Sequence, residues 1–263
     1  TVSVLLQVSD PHFGTERTPV VEALVALAAR LRPDLVVLSG DITQRARTEQ
    51  FSAARAAMDR LGAPLLALPG NHDIALFDLW SRFVRTYARY SAAFGSDLAP
   101  VFASNDLLVI GVNTTRARRH KDGEVSSEQI GAVAQQLRQA TPEQLRVVVV
   151  HQPIDVMRAE DLPNRLHNHT AAQQAWAAAG ADIVMGGHIH LPYVMPLPGL
   201  ARALWVVQAG TSVSSRVRSG VPNSVNVVRW TPPAGCVAEQ WDFSAAVSAF
   251  VCVASTPITP QRG

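Results

Sequence analysis

Short runs of β-branched and leucine residues recur along the chain, and between them lie longer stretches whose apolar positions repeat every three or four residues. That alternation predicts strands layered with helices, an α/β fold. The first strand candidates are Val4 to Val8, Leu35 to Leu38 and Leu65 to Leu68. Two helical patterns separate them, one with Val21, Leu24, Leu27, Ala28 and Leu31 on a single face, the other with Phe51, Ala54, Met58 and Leu61. Leu107 to Val112, Val147 to Val150 and Ile183 to Met185 continue the series. Ser126 and Gln129 have capping-box spacing, which predicts a helix running toward Gln139. From Trp205 onward the chain reads as β-rich, with strands at Trp205 to Val207, Val225 to Trp230 and Val237 to Trp241.

The polar groups sit where these runs end. Val8 leads into Ser9-Asp10-Pro11-His12, Leu38 into Ser39-Gly40-Asp41, and Leu68 into Pro69-Gly70-Asn71-His72-Asp73. His151 follows the Val147 run, and Gly186-Gly187-His188-Ile189-His190 follows Met185. Open α/β sheets present functional groups beyond the carboxyl ends of their strands, where rigid strands hold converging loops. Each loop alone has an ordinary explanation: Asp41 as a helix cap, Asn71 in a turn, His151 as a satisfied buried histidine. Five such loops, all bearing metal-type ligands, are hard to explain that way. Asp10 and His12 are one residue apart, so an extended backbone points both the same way. His188 and His190 repeat that spacing, behind glycines that allow a tight turn.

Asp10-x-His12, Gly40-Asp41, Gly70-Asn71-His72-Asp73, His151 and Gly187-His188-x-His190 together resemble the motifs of the calcineurin-like metallophosphoesterase superfamily, over residues 1 to about 230. The resemblance implies a layered α/β/β/α sandwich with a dinuclear metal site at the carboxyl ends of the strands. It implies that Asp10, His12, Asp41 and His190 bind one metal and that Asp41, Asn71, His151 and His188 bind the other, with Asp41 bridging. His72 would act on the phosphate or the leaving group, with Asp73 as the partner that orients it. The chemistry suits such ligands. Attack on an anionic ester by an anionic nucleophile needs charge compensation, and two cations about 3.5–4 Å apart can hold a hydroxide and clamp the phosphoryl oxygens. Mixed imidazole, carboxylate and amide ligands fit Mn, Fe or Zn.

Ser/Thr protein phosphatases of that superfamily carry Gly-Asn-His-Glu and an Arg-Gly extension, whereas this turn ends in Asp73 and Asp41 is followed by Ile42-Thr43-Gln44. The pattern is closer to bacterial cyclic-nucleotide and glycerophosphodiester phosphodiesterases. Those often have a second His after the fifth-motif histidine; here His151-Gln152-Pro153 spares the ligand and leaves the substrate open. The expected activity is metal-dependent hydrolysis of a small phosphodiester, with a 3',5'-cyclic nucleotide as one candidate. A phosphomonoesterase or nuclease using the same metals is the alternative. A binding scaffold without catalysis is disfavoured by the full ligand set.

Composition adds bounds. At 263 residues, 48% hydrophobic, the chain fits one domain, residues 1–255, with a helical insertion at 74–105 near the site and a mobile tail at 256–263 containing two prolines. The insertion carries Phe77, Trp80, Phe83, Tyr87, Tyr90 and Phe94 at helical spacing. A face packed into the core or a homodimer interface is the preferred use of that stripe over a flap above the site. A net charge of +2, spread without a basic block, implies no dedicated nucleic-acid binding. Arg116, Arg118, Arg119, His120 and Lys121 form a local cluster that either steers an anionic substrate or faces water. Arg216 and Arg218 lie in a polar loop within reach of a phosphate, and His167 and His169 are weaker ligand candidates. Cys236 and Cys252 have no metal-binding spacing, which fits a reducing cytoplasm. No apolar stretch is long enough to cross a bilayer.

Overall fold

The computed structural model describes residues 2–75, 79–233 and 235–262. In chain order the first elements are β1 (Ser3–Val8), α1 (Thr18–Leu31), β2 (Leu35–Ser39), α2 (Thr48–Asp59), β3 (Leu65–Leu68) and a 3₁₀ turn at Asn71–Asp73. Next come α3 (Leu79–Val84), α4 (Ala88–Phe94), β4 (Val101–Ala103), β5 (Leu107–Gly111), α5 (Ser127–Arg138) and β6 (Leu145–Val149). A 3₁₀ segment at Ala159–Asn164 precedes α6 (His169–Ala179), β7 (Ile183–Gly186), β8 (Tyr193–Pro196) and β9 (Trp205–Gln208). The chain closes on β10 (Ser224–Thr231), β11 (Gly235–Ser244) and β12 (Ala249–Ile258).

The strands form two six-stranded sheets, ordered β12-β11-β10-β1-β2-β3 and β4-β5-β6-β7-β9-β8. β1, β2 and β3 are parallel, as are β5, β6, β7 and β9. Alternation along β1 explains why, Gln7 apart, it reads as an apolar run from Val4 to Val8. Val4, Leu6 and Val8 pack with α1 and α2, while Leu5 faces the second sheet. Burial on both faces removes the polar positions that a half-exposed strand would show. The same logic puts Leu108, Ile110 and Val148 against α5 and α6, and Val109, Val147 and Val149 between the sheets. The result is the expected four-layer α/β/β/α sandwich.

One polar residue ties the two sheets where their parallel strands end. Gln7 lies on the inter-sheet face of β1 and donates through Nε2 to Ser39 Oγ at 3.1 Å and to the Gly186 carbonyl at 3.0 Å. The ends of β1, β2 and β7 are thereby held in fixed relation, and these are three of the strands that carry candidate ligands.

Helix boundaries follow local chemistry. Ser126 Oγ accepts the Gln129 N–H at 3.1 Å, and the Gln129 side chain accepts the Ser126 N–H at 3.0 Å, so the capping box forms as the spacing predicts. Among the described residues the insertion is helical as expected, in two short helices, and its aromatic stripe divides between them. Tyr90 is buried, stacks on Phe94 with centroids 5.6 Å apart, and donates to the Ala67 carbonyl at 2.9 Å. Trp80 and Phe83 on α3 are 69% and 61% exposed, so that half of the stripe is not core. Phe77 falls outside the described residues.

The segment expected as a tail, 256–263, begins inside a strand. Thr256, Pro257 and Ile258 complete β12, where Pro257 lies opposite Val237. β12 is an edge strand, the position in a sheet where a proline's missing N–H costs no ladder bond. Arg262 then donates to Asp182 Oδ1 at 2.6 Å and lies 5.3 Å from the centre of the Trp230 ring.

Candidate metal centre

The loops after β1, β2, β3, β6 and β7 converge at one end of the sandwich. The backbone reaches this geometry at a cost. Among the described residues, nine non-glycine positions have positive φ, and five of them are Asp10, His12, Asp41, His188 and His190. Left-handed backbone disfavours residues with a Cβ by about 1–3 kcal/mol each, and it persists where surrounding bonds enforce it. Here the Asp10 N–H donates to the Gly40 carbonyl and the His12 N–H to the Asp41 carbonyl, each at 3.0 Å. Gly40, at φ +96°, leaves no room for a Cβ because the His151 ring packs directly against it. At Gly187 a Cβ would meet Ser9 and Asp10.

Asp10, His12, Asp41 and His151 are buried, and their polar atoms face one another. His190 Nε2 lies 3.3 Å from Asp10 Oδ1 and 3.1 Å from His12 Nε2. His12 Nε2 is also 3.9 Å from Asp10 Oδ1 and 3.8 Å from Asp41 Oδ2. On the other side, His151 Nε2 is 3.2 Å from Asp41 Oδ1 and 3.3 Å from Asn71 Oδ1. Asp41 therefore turns one oxygen toward His12 and the other toward His151. Asp10, His12 and His190 form one group with metal-ligand spacing, and Asp41, His151 and His188 form another.

Backbone carbonyls set the histidine tautomers. A carbonyl only accepts, so His151 donates from Nδ1 to the Ser39 oxygen at 2.9 Å, and His190 donates from Nδ1 to the Arg216 oxygen at 2.7 Å. Both rings then turn Nε2 inward, toward the Asp41 and Asp10 carboxylates, the orientation that a metal-ligating histidine needs once Nε2 gives up its proton. His188 faces the site differently. Its Nδ1 is buried and has no hydrogen-bond partner among the described residues, the kind of orphaned atom that a cation would satisfy. The donor set thus fits two metal ions.

The charges agree with this geometry. Burial pushes the Asp10 carboxyl up, but the neighbouring His190 and His151 rings pull harder and leave it at about 2. Burial likewise opposes ionisation of Asp41, and His151 holds it well below the ordinary carboxylate range. Burial depresses His12 to about 3 and His188 to about 4, so both stay neutral and available as ligands.

Asp73 does not orient His72. Its Oδ1 accepts from the Thr43 N–H and hydroxyl, each at 2.8 Å, and its Oδ2 from Ile42 N at 3.0 Å and Gly70 N at 2.8 Å. His72 is fixed instead by the Gln44 carbonyl, 3.0 Å from Nδ1, which leaves Nε2 facing the cleft. Sequence reasoning gives no signal for Gln44, because a carbonyl acts whatever side chain follows it.

The cleft over the two groups has a volume of about 490 Å³ and is lined by Asp41, Asn71, His72, Lys121, His188 and Arg216, among others. Of the basic cluster, Arg118 and Arg119 pair with Glu124 at 2.9 and 2.8 Å, while Lys121 reaches the cleft. Arg218 is taken by Asp161 at 3.0 Å and by the Ile189 carbonyl at 3.2 Å. His167 faces Asp122 and Arg119, and His169 bonds the Leu166 carbonyl, so neither joins the centre.

Comparison with known proteins agrees with the fold and the motifs. Residues 3–192 match the family model for calcineurin-like phosphoesterases, and the chain belongs to that family. It is 25% identical over 202 residues to a cAMP/cGMP dual specificity phosphodiesterase of Mycobacterium tuberculosis, an alignment covering 71% of this chain and 61% of that protein. An 83-residue stretch is 39% identical to the glycerophosphodiester phosphodiesterase GpdQ of Enterobacter lignolyticus, covering 27% of this chain and 29% of that one. The chain thus spans less than two thirds of either relative's length. A dimetal phosphatase from Danio rerio shares the fold, with a TM-score of 0.68, 14% identity, and coverage of 98% of this chain and 99% of that one.

Proposed function

We propose that the protein is a binuclear metallohydrolase that cleaves small phosphodiesters, with cyclic nucleotides and glycerophosphodiesters as the substrate classes to test first. The observation that carries this reading is the divided Asp41 carboxylate, which faces His12 through Oδ2 and His151 through Oδ1. One ion would be held by Asp10, His12, Asp41 and His190, and the second by Asp41, Asn71, His151 and His188. Imidazole, carboxylate and amide donors suit Mn, Fe or Zn. When bound, such a pair supplies an acidified water and offsets charge on the phosphoryl oxygens.

The protein's own groups complete the reaction. The Ser39 and Arg216 carbonyls hold His151 and His190 in the tautomer that a ligand needs. His72, fixed at Nδ1 by Gln44, presents Nε2 to the cleft, where the doubly protonated ring can give its Nε2 proton to the departing alkoxide and be left neutral with Nδ1–H still on the carbonyl. Two relatives bearing phosphodiesterase names support a diester over a monoester, and the lack of a basic stripe disfavours a long nucleic acid.

The test compares bis-p-nitrophenyl phosphate with p-nitrophenyl phosphate, using metal-stripped protein resupplied with Mn, Fe or Zn. Metal-dependent diester cleavage that Asn71→Ala abolishes supports the proposal. Preference for the monoester moves the assignment to a phosphatase, and inactivity with every metal and ester rejects hydrolysis.

A further inference from the structure

The polar loop after β9 is bound tightly to the loop that carries Asp10 and His12. Ser212 N donates to the Ser9 carbonyl and Ser215 N to the Thr15 carbonyl, both at 2.9 Å, and Thr211 Oγ1 donates to the Asp10 carbonyl. Asn223 Nδ2 donates to the Ser214 carbonyl at 2.8 Å, and Ser214 Oγ accepts the Arg216 N–H at 2.9 Å. Arg216 is thus delivered to the cleft on a backbone with little freedom.

Its guanidinium is held on one side only. Nη1 donates to Gln44 Oε1 at 2.9 Å and lies 3.3 Å from His72 Nε2 and 3.4 Å from His12 Nδ1. Nε and Nη2 have no partner among the described residues. None of the three Nη1 neighbours is a carboxylate, in contrast to Arg116, Arg118 and Arg119 around Glu124, and to Arg218 on Asp161. Arg216 therefore brings a positive charge that no carboxylate pairs directly among the described residues, with part of its donor fork open, to the cleft that Asp41, Asn71 and His188 also line. A guanidinium fork matches two oxygens of a phosphoryl group better than it matches any uncharged ligand.

We propose that Arg216 binds the non-bridging oxygens of the substrate phosphoryl group and fixes the ester against His72. This inference rests on the phosphodiesterase reading and adds to it a phosphate-binding residue that belongs to the protein rather than to the metals. Gln44 serves both partners, its carbonyl on His72 Nδ1 and its side chain on Arg216 Nη1, so the proton-carrying ring and the anion-binding fork share one support.

The test measures binding of inorganic phosphate to metal-loaded protein by calorimetry, for the wild type, Arg216→Ala, Arg216→Gln and Arg216→Lys. Arg55→Ala is the control, an exposed α2 arginine paired with Asp59. Loss of a charged bidentate donor should weaken phosphate binding roughly ten- to a hundredfold in the Ala and Gln variants. Lys should recover part of that loss, and added guanidinium should restore the Ala variant. Metal content should not change, because the Arg216 carbonyl that holds His190 survives every substitution. Phosphate affinity within twofold of wild type in Arg216→Ala and Arg216→Gln overturns the proposal, and so does a parallel loss of metal, which would make Arg216 a structural support. Phosphate binding that falls in these variants, in a protein that hydrolyses no diester, sinks the functional reading and keeps Arg216 as an anion site. Diester hydrolysis with unchanged phosphate affinity does the reverse.

Discussion

Thr43 donates twice to one oxygen of Asp73: its backbone N–H and its hydroxyl each reach Oδ1 at 2.8 Å. With Ile42 N and Gly70 N on Oδ2, this buried carboxylate pins the β2 loop to the turn that carries Asn71 and His72. Asp73→Ala strands four donors. Each unsatisfied buried donor costs about 1–3 kcal/mol, and because such losses do not add fully we expect at least about 3 kcal/mol. At about 2–4 °C per kcal/mol, the midpoint of thermal unfolding should fall by about 6–12 °C. A variant that kept its melting temperature while losing turnover would return Asp73 to a catalytic role.

His72 should behave in the opposite way. It reaches the cleft through Nε2 but belongs to neither proposed ligand set, so His72→Ala should keep both metals and its thermal stability. Turnover should drop by about 10²–10⁴-fold, the usual contribution of a positioned proton donor. Gln44→Ala keeps the carbonyl that holds the His72 ring, so its effect on kcat should be much smaller. Metal analysis beside steady-state kinetics separates the two cases. Loss of metal from His72→Ala would place the ring among the ligands, a placement that its grouping with His12 and Asp41 makes worth checking.

Much of this centre was legible in the sequence because strand-end loops leave a regular trace: an apolar run, then a glycine or proline, then a ligand-type side chain. β2, β3 and β7 follow it in full, β1 and β6 lead into Asp10 and His151 without the glycine or proline, and the capping box at Ser126 formed as its spacing required. What the sequence hid falls into two physical kinds. Backbone carbonyls carry no side-chain signature, so Ser39, Gln44 and Arg216 as tautomer-setting groups could not be seen. Partner choice is the other kind. The family resemblance paired Asp73 with His72, yet consecutive residues in a 3₁₀ turn point different ways, and Asp73 found four donors elsewhere. Arg216 and Arg218 looked equivalent in the same loop until Asp161 took only the second.

Removal of metal should destabilise the fold. The orphaned Nδ1 of His188 and the facing Nε2 atoms of His12 and His190 are groups that a cation would engage in the folded state alone. At free metal near 100 times the dissociation constant, each site should add about 2.7 kcal/mol. Chelation should therefore lower the unfolding midpoint, and resupplied Mn or Zn should restore it in a concentration-dependent way. His188→Ala should bind about one metal fewer per chain and show a smaller shift. A melting curve indifferent to both chelator and metal would contradict the proposed ligand sets.

The metal-free protein should also carry a distinctive pH dependence. Burial alone would lower the His151 imidazole, but the charge and hydrogen bond of Asp41 outweigh it and raise the group from 6.5 to about 9. A raised histidine contributes stability that is fully present below its unfolded pKa and is lost as pH rises through the folded value. His190 is shifted the same way through Asp10. His12 and His188 work oppositely: burial lowers them to about 3 and about 4, so below pH 6.5 the unfolded chain takes up protons that these rings refuse. Chelator-treated protein should thus be most resistant to urea near pH 6.5 and lose resistance toward pH 9 and toward pH 5. In metal-loaded protein the ion replaces the proton on His151, so the decline between pH 6.5 and 9 should flatten, and loading at pH 8 should release protons into a weak buffer. Urea midpoints of the metal-free protein that climb from pH 6.5 to 9 would show that Asp41 does not hold a proton on His151.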